Sequence, residues 1–320
     1  MTQVKPVRGD QRATEREDVR SRRFTLAGQV IEVPRLAGGL YLVATPIGNL
    51  RDITLRALEI LGGADLVCCE DTRVTRKLFE HYGLSTPLLP YHEHNAESQR
   101  PKILHRLADG AAVALVADAG TPLISDPGYK LARDAATAGC PVSAAPGASA
   151  ALMALTVSGL PTDRFFFEGF LPAKSEKRRA RIGELARIPA TLILFESGVR
   201  LAATLSDLAD GLGPRAASVA RELTKLHEEV RRGTLVALAA DYAGGPEKPA
   251  ETRGEIAIVI APPIEAEAEA ADVDALLRAA LTRLSLKDAV AEVAAATGAA
   301  RRAVYGRALE LAKEDDGSAS

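Results

Sequence analysis

From residue 40 onward, the hydrophobic and polar positions of the chain alternate between two patterns. Short apolar runs, typical of buried strands, are separated by longer stretches in which apolar residues recur at helical spacing. The first block predicts strands at 40–44, 65–69, 112–117 and 141–145, and helices near 52–62, 72–82, 95–109, 128–138 and 148–158. This alternation is typical of a parallel sheet covered by helices.

A second α/β block follows the break Gly159–Asp163 (GLPTD). Its predicted strands lie near 164–169, 190–196, 215–221, 227–232 and 255–260. The third and fourth of these leave no room for a crossover helix, so we expect them to pair antiparallel within a mixed sheet. The expected organisation is a disordered leader (1–37), an N-terminal α/β domain (38–160), a second α/β domain (161–264), and, after an acidic linker, a helix–turn–helix-like module (272–312).

Composition narrows the function only a little. The 320 residues are 47% hydrophobic and 26% charged, and the formal net charge of -2 means that any basic surface must be local. The three cysteines form no CxxC pair and look like core residues in a reducing compartment. Without an apolar run long enough to span a bilayer, or a signal peptide, we expect a cytoplasmic protein that does not bind membranes.

Small and turn-forming residues follow nearly every predicted strand. The longest such loop is Asp118–Gly128 (DAGTPLISDPG), and shorter ones are Thr45–Leu50, Glu70–Arg73, Ala145–Ala150 and Phe195–Ser197. Open α/β sheets bind ligands at the carboxyl ends of their strands, so these loops predict one shared cleft. The alternative is a passive connection, which would usually be shorter, roughly 2–6 residues. Neither GxGxxG nor the Walker sequence is present, which disfavours a dinucleotide dehydrogenase and a P-loop NTPase.

Five segments together resemble the ribosomal RNA small-subunit methyltransferase I family of the tetrapyrrole-methylase superfamily. They are Leu40–Leu61 (LYLVATPIGNLRDITLRALEIL), Cys69–Arg73 (CEDTR), Asp118–Tyr129 (DAGTPLISDPGY), Pro146–Ala150 (PGASA) and Phe166–Pro172 (FFEGFLP). The resemblance runs from about residue 38 to 312, with Ala117 standing where the family usually has Ser. It implies a two-domain tetrapyrrole-methylase-like α/β fold and a homodimer. It also implies S-adenosylmethionine-dependent methylation of the ribose 2′-hydroxyl of a decoding-centre cytidine in 16S rRNA.

The resemblance also implies a cofactor site between the two α/β domains. The residues that it places around S-adenosylmethionine are Pro46, Ala119, Gly120, Thr121, Ile124, Ser149, Ala150, Phe195 and Leu223.

A ribose hydroxyl is a poor nucleophile, so a proton acceptor is expected near it. Glu70 and Asp118, both near predicted strand ends, are the preferred catalytic candidates. Asp71 is better explained as a helix cap, and Glu222 is as well explained as the ion-pair partner of a neighbouring Arg or Lys. His92-Glu93-His94 would place two imidazoles on one face of a strand, but no third ligand is evident, so we predict no metal site. A polar loop near the RNA-facing cleft, or a solvated loop, is favoured instead.

Two basic clusters are candidates for contact with the small ribosomal subunit. Lys177, Arg178 and Arg179 would lie on one helix, and Arg301 and Arg302 open the second helix of the C-terminal module. A solvated helix face, or a packing or dimerisation module, is the alternative. A helix–turn–helix need not read DNA, so we expect no DNA partner, and a small substrate needs neither the basic cluster nor the C-terminal helical module. This disfavours one rival function, a tetrapyrrole (precorrin-type) methyltransferase, and leaves a second, a non-catalytic RNA-binding ribosome-assembly factor on the same fold.

Overall fold

The computed structural model describes residues 22–244, 254–263, 265–297 and 299–317. The chain divides into two compact units, Met1–Ala150 and Ala151–Ser320. The predicted domain boundary, after residue 160, lies later than this division. The helix Ala150–Ser158 belongs with the second unit, because the carbonyls of Val157 and Ser158 at its end accept hydrogen bonds from Arg232.

An antiparallel hairpin opens the described part of the first unit. Its strands are β1 (Arg23–Leu26) and β2 (Gln29–Glu32). The prediction of a disordered leader is therefore wrong for this stretch, because Phe24 is only 1% exposed and packs with Val33 in the core of the unit. The guanidinium of Arg22 also pairs with Asp65 at 2.9 Å. Residues 1–21 of the expected leader lie outside the described residues.

The first large sheet is wholly parallel, with strand order β5–β4–β6–β3–β7. Its strands are β3 (Gly39–Val43), β4 (Leu66–Cys69), β5 (Leu88–Pro90), β6 (Ala112–Val116) and β7 (Val142–Ala145). The helices between them are α1 (Leu55–Gly63), α2 (Thr72–Tyr82), α3 (Ala96–Ala108) and α4 (Tyr129–Thr137). A short 3-10 helix, Leu50–Asp52, precedes α1. The parallel sheet and all four predicted strands are confirmed, and β5 is an additional strand.

The helices cover both faces of this sheet. Successive strand residues point to opposite faces, so Cys69 packs with Leu58 of α1, whereas its neighbour Cys68 packs with Leu131 of α4. The two neighbouring strands β3 and β6 are thus followed by helices on opposite faces, which opens a crevice between their carboxyl ends. The packing also confirms Cys68 and Cys69 as core residues, whereas Cys140 is only partly buried. Burial raises the pKa of the Cys68 thiol to about 12.

Helix α5 (Ala150–Ser158) leads into a second sheet of order β11–β10–β12–β9–β8. Its strands are β8 (Phe165–Phe170), β9 (Thr191–Ser197), β10 (Ala216–Arg221), β11 (Glu229–Thr234) and β12 (Glu255–Ile260). The accompanying helices are α6 (Ser175–Leu185), α7 (Gly198–Leu212) and α8 (Leu235–Tyr242). Only β8 and β9 pair in parallel, so the predicted mixed sheet and the antiparallel pairing of β10 with β11 are confirmed.

Three helices complete the second unit. They are α9 (Glu265–Leu281), α10 (Leu286–Thr297) and α11 (Arg301–Gly317), and they share a small core that includes Leu277, Val293 and Leu311. The acidic run expected to be a linker forms the start of α9, so the helical module begins before residue 272. Within the described ranges, none of the helices combines the length and the apolar character that crossing a bilayer requires.

Candidate functional site

The loops after β3 and β6 are joined directly at the crevice between these strands. The amide of Thr45 donates to the carbonyl of Gly120 at 2.9 Å, and the amide of Gly120 donates back to the carbonyl of Thr45 at 3.0 Å. The Thr45 hydroxyl also donates to the carbonyl of Ala117 at 3.1 Å. These three hydrogen bonds hold the two loops in one fixed arrangement at the carboxyl edge of the sheet.

The loop after β7 adds a third wall. The hydroxyl of Thr121 donates to the carbonyl of Ala148 at 3.1 Å. Gly147 lies so close to the β3 loop that a Cβ atom on it would come within 2.8 Å of the Ala44 Cβ. The first-unit residues expected to bind the cofactor therefore occupy three adjoining loops and, in the case of Ala150, the first position of the helix that follows the third loop. These residues are Pro46, Ala119, Gly120, Thr121, Ile124, Ser149 and Ala150.

The loop Asp118–Gly128 has an unusual backbone. Gly120 has φ 80° and Gly128 has φ 129°, and two residues with side chains, Leu123 at 73° and Ser125 at 63°, also adopt positive φ. Left-handed conformations are costly for residues other than glycine, and such strain concentrates at ligand-binding and catalytic loops. A purely passive connection gives no reason for this strain, so the backbone favours the ligand-binding interpretation.

Glu70 and Asp118 lie at the ends of the adjacent strands β4 and β6. The Asp118 carboxylate accepts the amide of Asp71 at 2.9 Å and so braces the neighbouring loop. Burial raises the pKa of Glu70, and the nearby charges of Asp118 and Asp71 raise it further. Burial and the charge of Asp71 likewise raise the pKa of Asp118. Among the described residues, no hydrogen bond or ion pair engages the Glu70 carboxylate, so this side chain remains available to a ligand.

Asp71 has a structural role. It is the N-cap of α2, where its carboxylate accepts the amide of Arg73 at 2.8 Å and pairs with the Arg73 guanidinium at 2.6 Å. Hydrogen bonds from Arg73 lower the pKa of Asp71 to about 2. The interpretation of Asp71 as a helix cap is confirmed.

The two histidines lie in a turn after β5 rather than on a strand, and their ring centroids are 6.0 Å apart. Because β5 is parallel to β4, this turn reaches the same edge of the sheet as Glu70. A charge on His92 lowers the pKa of Glu70, and the His92 Nδ1 atom is buried with no partner among the described residues. The sequence offered a polar loop near the cleft as one interpretation of this segment, but the proximity of His92 to Glu70 was not predicted. No group of three or more His, Cys, Asp or Glu suited to a metal ion occurs in the described ranges.

Of the two expected cofactor residues of the second unit, Phe195 lies within β9, so the loop predicted at Phe195–Ser197 is part of that strand, whereas Leu223 follows β10. The Phe195 ring lies edge-on to Phe167 at 5.0 Å and to Phe170 at 5.8 Å, measured between ring centroids. Leu223 is buried directly after β10, between Glu222 (φ 50°) and Thr224 (φ 67°). Their approach to the loops of the first unit stays a prediction. Glu222 itself pairs with Lys225 at 3.0 Å, which supports its ion-pair role.

Glu196, a residue for which the sequence predicted no role, anchors the end of β9. Its buried carboxylate accepts the amide of Ser197 at 2.8 Å and the hydroxyl of Thr204 at 2.7 Å, and it pairs with Arg200 at 3.2 Å. Ser197 is the N-cap of α7, and Arg200 and Thr204 lie in the first half of that helix, so this connection holds the strand end next to Phe195.

The basic cluster of α6 is divided between a structural and an exposed part. The RNA contact predicted for Arg178 is contradicted, because this side chain is buried and pairs with the buried Asp207 of α7 at 2.5 Å. Lys177 and Arg179 are exposed, although Arg179 also pairs with Asp207 at 2.7 Å. A sequence pattern identifies the cations of a helix but does not show which of them faces a carboxylate elsewhere in the fold.

Arg301 and Arg302 are both exposed in the first turn of α11. Together with Lys287, Val290 and Tyr305 they line an open pocket of about 370 Å³. Lys287 and Tyr305 were not predicted as site residues. The available signal was spacing, since Tyr305 follows Arg301 by four residues and therefore lies on the same face of the helix.

Comparisons with known proteins agree with this architecture. The family model described as Tetrapyrrole (Corrin/Porphyrin) Methylases matches residues 39–239, and the model of the RsmI C-terminal HTH domain matches residues 267–312. Among solved structures, diphthine synthase has a TM-score of 0.53 at 17% identity and covers 72% of this chain and 90% of its own. A conserved hypothetical protein from Aeropyrum pernix K1 has a TM-score of 0.53 at 21% identity and covers 88% and 98%. At these identities the two structures show the fold alone.

Curated relatives are much more similar in sequence. The ribosomal RNA small subunit methyltransferase I of Mesorhizobium japonicum is 50% identical over 290 residues, which cover 89% of this chain and 97% of the relative. The protein of the same name from Erythrobacter litoralis is 51% identical over 276 residues, covering 86% and 96%. The segments that carried the resemblance thus belong to a match along nearly the whole chain, and the chain belongs to the ribosomal RNA small subunit methyltransferase I family, within the tetrapyrrole methylases.

Proposed function

We propose that this chain transfers the methyl group of S-adenosylmethionine to the ribose 2′-hydroxyl of a cytidine at the decoding centre of 16S rRNA. The observation that carries the proposal is the crevice between β3 and β6, where the hydrogen-bonded pair Thr45 and Gly120 joins two loops of the family's sequence pattern. The relatives named as ribosomal RNA methyltransferases support the rRNA substrate. Assembly as a homodimer and a cytoplasmic location are proposed on the same family relationship.

The walls of this crevice fit a cofactor that is held mainly by backbone groups. A Cβ on Gly147 would lie 2.8 Å from the Ala44 Cβ, and one on Gly120 would lie 3.3 Å from the Ile47 side chain, so both positions leave the main chain uncovered. Ala119, Ser149 and Ala150 are small. Pro46, Thr121 and Ile124 complete the expected contacts from the first unit, and Phe195 and Leu223 would supply those from the second. The bound sulfonium supplies an already activated methyl group, so the task left to the protein is alignment of the acceptor oxygen.

Glu70 is the better candidate for accepting the proton of the ribose hydroxyl. Asp118 already accepts the amide of Asp71, whereas the Glu70 carboxylate has no such partner among the described residues. The raised pKa of Glu70 brings this carboxylate closer to the basicity that proton transfer from a hydroxyl requires. We therefore assign the acceptor role to Glu70 and the positioning of the α2 loop to Asp118.

Exposed cations suit the RNA part of the proposal. Lys177 and Arg179 on α6, and Arg301 and Arg302 on α11, remain on the surface after Arg178 is withdrawn from the predicted set. Phosphate contacts of this kind would supply affinity that weakens as salt is added.

The proposal is tested by mapping the methyl group. The purified chain is incubated with labelled S-adenosylmethionine and undermethylated small subunits, and the label is located by nuclease digestion and mass spectrometry. The expected result is label on the ribose of one cytidine, with much less transfer by the E70Q variant. Label on a base would contradict the 2′-hydroxyl assignment. Methylation of a tetrapyrrole in place of RNA, or RNA binding without any transfer, would favour one of the two rival functions.

A further inference from the structure

The C-terminal module carries a pocket that the proposed chemistry does not use. The pocket lies where the first turns of α10 and α11 meet, and its volume is about 370 Å³. Val290, which is buried, contributes an apolar surface, while Lys287, Arg301 and Arg302 contribute three cations. A pocket at the lower end of the range of ligand sites suits one small planar group with its substituents, rather than an extended surface.

The three cations are not paired with a carboxylate among the side chains that the structure describes. None of them forms an ion pair there, and no acidic residue lines the pocket. The other arginines of the module behave differently. Arg307 pairs with Asp274 at 2.7 Å, and Arg283 pairs with Glu292. Cations in the first turn of a helix also oppose the helix dipole, so local stability does not explain Arg301 and Arg302.

An aromatic ring stands beside these cations. Tyr305 lies one helical turn after Arg301, on the same face of α11, and is 46% exposed. No hydrogen bond or ring contact engages Tyr305 among the described residues. An accessible ring next to unpaired cations is the combination that binds a nucleic-acid base by stacking and its phosphates by charge.

We infer that this pocket binds one unpaired nucleotide of an RNA strand, with its base stacked on Tyr305 and its adjoining phosphates contacted by Lys287, Arg301 and Arg302. An RNA duplex offers phosphates but keeps its base faces stacked inside the helix, so it could use the cations and not the ring. The pocket therefore distinguishes single-stranded from paired RNA. That the RNA belongs to the small ribosomal subunit rests on the proposed function.

The test compares RNA binding by full-length variants. The probes are a fluorescently labelled pyrimidine-rich single strand and a blunt duplex of the same sequence, each measured by anisotropy. Loss of stacking in Y305A is expected to weaken single-strand binding roughly 5- to 150-fold and to leave duplex binding unchanged. Y305F keeps the ring and is expected to bind like the wild type.

The cations are tested by salt dependence. For single strands, each phosphate contact contributes about 0.7 to the slope of log K against log salt, so R301Q/R302Q is expected to lower that slope by about 1.4. R283Q removes a cation of the same module outside the pocket and is the matched control, with a slope close to that of the wild type. Thermal melting and S-adenosylmethionine affinity of each variant show whether the fold and the cofactor site are intact.

Two results would overturn the inference. One is a folded Y305A variant that binds the single strand as tightly as the wild type. The other is an equal loss of single-strand and duplex binding in Y305A. The proposed function fails separately, when the wild type transfers no methyl group to small subunits, and in that case the oligonucleotide measurements still test the pocket.

Discussion

Replacement of Arg178 by methionine separates the structural and the RNA-binding interpretations of α6. The Asp207 side chain is only 3% exposed, and Arg178 is its buried partner, whereas the Arg179 side chain is 65% exposed. R178M keeps most of the side-chain volume but removes the charge, so Asp207 would remain buried with Arg179 and Ser175 as its partners.

The magnitude follows from this geometry. Removing one member of a buried ion pair costs about 3–5 kcal/mol, because the other charge is left without compensation. Since Arg179 still pairs with Asp207, we expect R178M to lose about 2–3 kcal/mol of unfolding free energy. R179M removes the exposed partner and is expected to lose about 0–1 kcal/mol.

The effect also depends on pH. Burial alone would raise the pKa of Asp207, but hydrogen bonds from Arg179 and Arg178 outweigh burial and hold it below its usual value. The stability gained from a lowered carboxyl pKa is present above the unfolded value, about 3.9, and is lost as the pH falls through the folded value. The difference in unfolding free energy between the wild type and R178M should therefore become smaller below about pH 4.

Urea unfolding followed by circular dichroism measures both variants, and fluorescence anisotropy measures their RNA affinity. The expected pattern is a large loss of stability in R178M with unchanged RNA affinity of the folded protein, and the reverse in R179M. A loss of stability below about 1 kcal/mol in R178M would refute the buried-pair argument, since that is the range of an exposed pair. Weaker RNA binding by a stable R178M would restore the interpretation taken from the sequence.

Two further substitutions test the site in the first unit. E70Q is expected to slow methyl transfer and to raise the melting temperature at pH 7. The pKa of Glu70 is raised in the folded protein, so ionisation of this carboxyl group lowers the stability of the fold once the pH exceeds the pKa of the unfolded state. An unchanged or lower melting temperature would show that the ionised Glu70 does not destabilise the fold. G147A is expected to weaken S-adenosylmethionine binding in calorimetry and to lower the free energy of unfolding by about 1–3 kcal/mol, because the new Cβ would lie 2.8 Å from the Ala44 Cβ. The control is G183A in α6, where no atom lies within 4 Å of the added carbon, and this variant should bind S-adenosylmethionine like the wild type. If G147A binds the cofactor as tightly as G183A does, the cofactor site lies elsewhere.

The strands and the first-unit loops could be predicted because their signals are local. An apolar run such as Ala112–Val116 is buried on both faces, and parallel strands bring their carboxyl ends to one edge. Strand β5 escaped prediction because it has three residues and ends in Pro90. The hairpin of β1 and β2 escaped because two four-residue strands with charged ends give little periodicity.

The rest depends on residues that are far apart in the chain. Asp207, which decides the role of Arg178, follows it by 29 positions, and nothing around either residue identifies the other as its partner. Lys287 and Tyr305 belong to different helices and share a pocket only because α10 packs on α11. The turn that contains His92 reaches the edge beside Glu70 only because β5 pairs with β4.

The hairpin before residue 39 explains an oddity of α1, which ends in two adjacent glycines although glycine is a poor helix former. A Cβ on Gly62 would lie 3.1 Å from the Val33 side chain, and one on Gly63 would lie 2.8 Å from the Pro34 carbonyl. The two glycines thus let the segment that follows the hairpin pack closely against the end of α1. Without that segment they would weaken the helix and allow no compensating contact. The tetrapyrrole-methylase family model starts at residue 39, after the hairpin and the segment that follows it, so the folding unit extends beyond the stretch that the model matches.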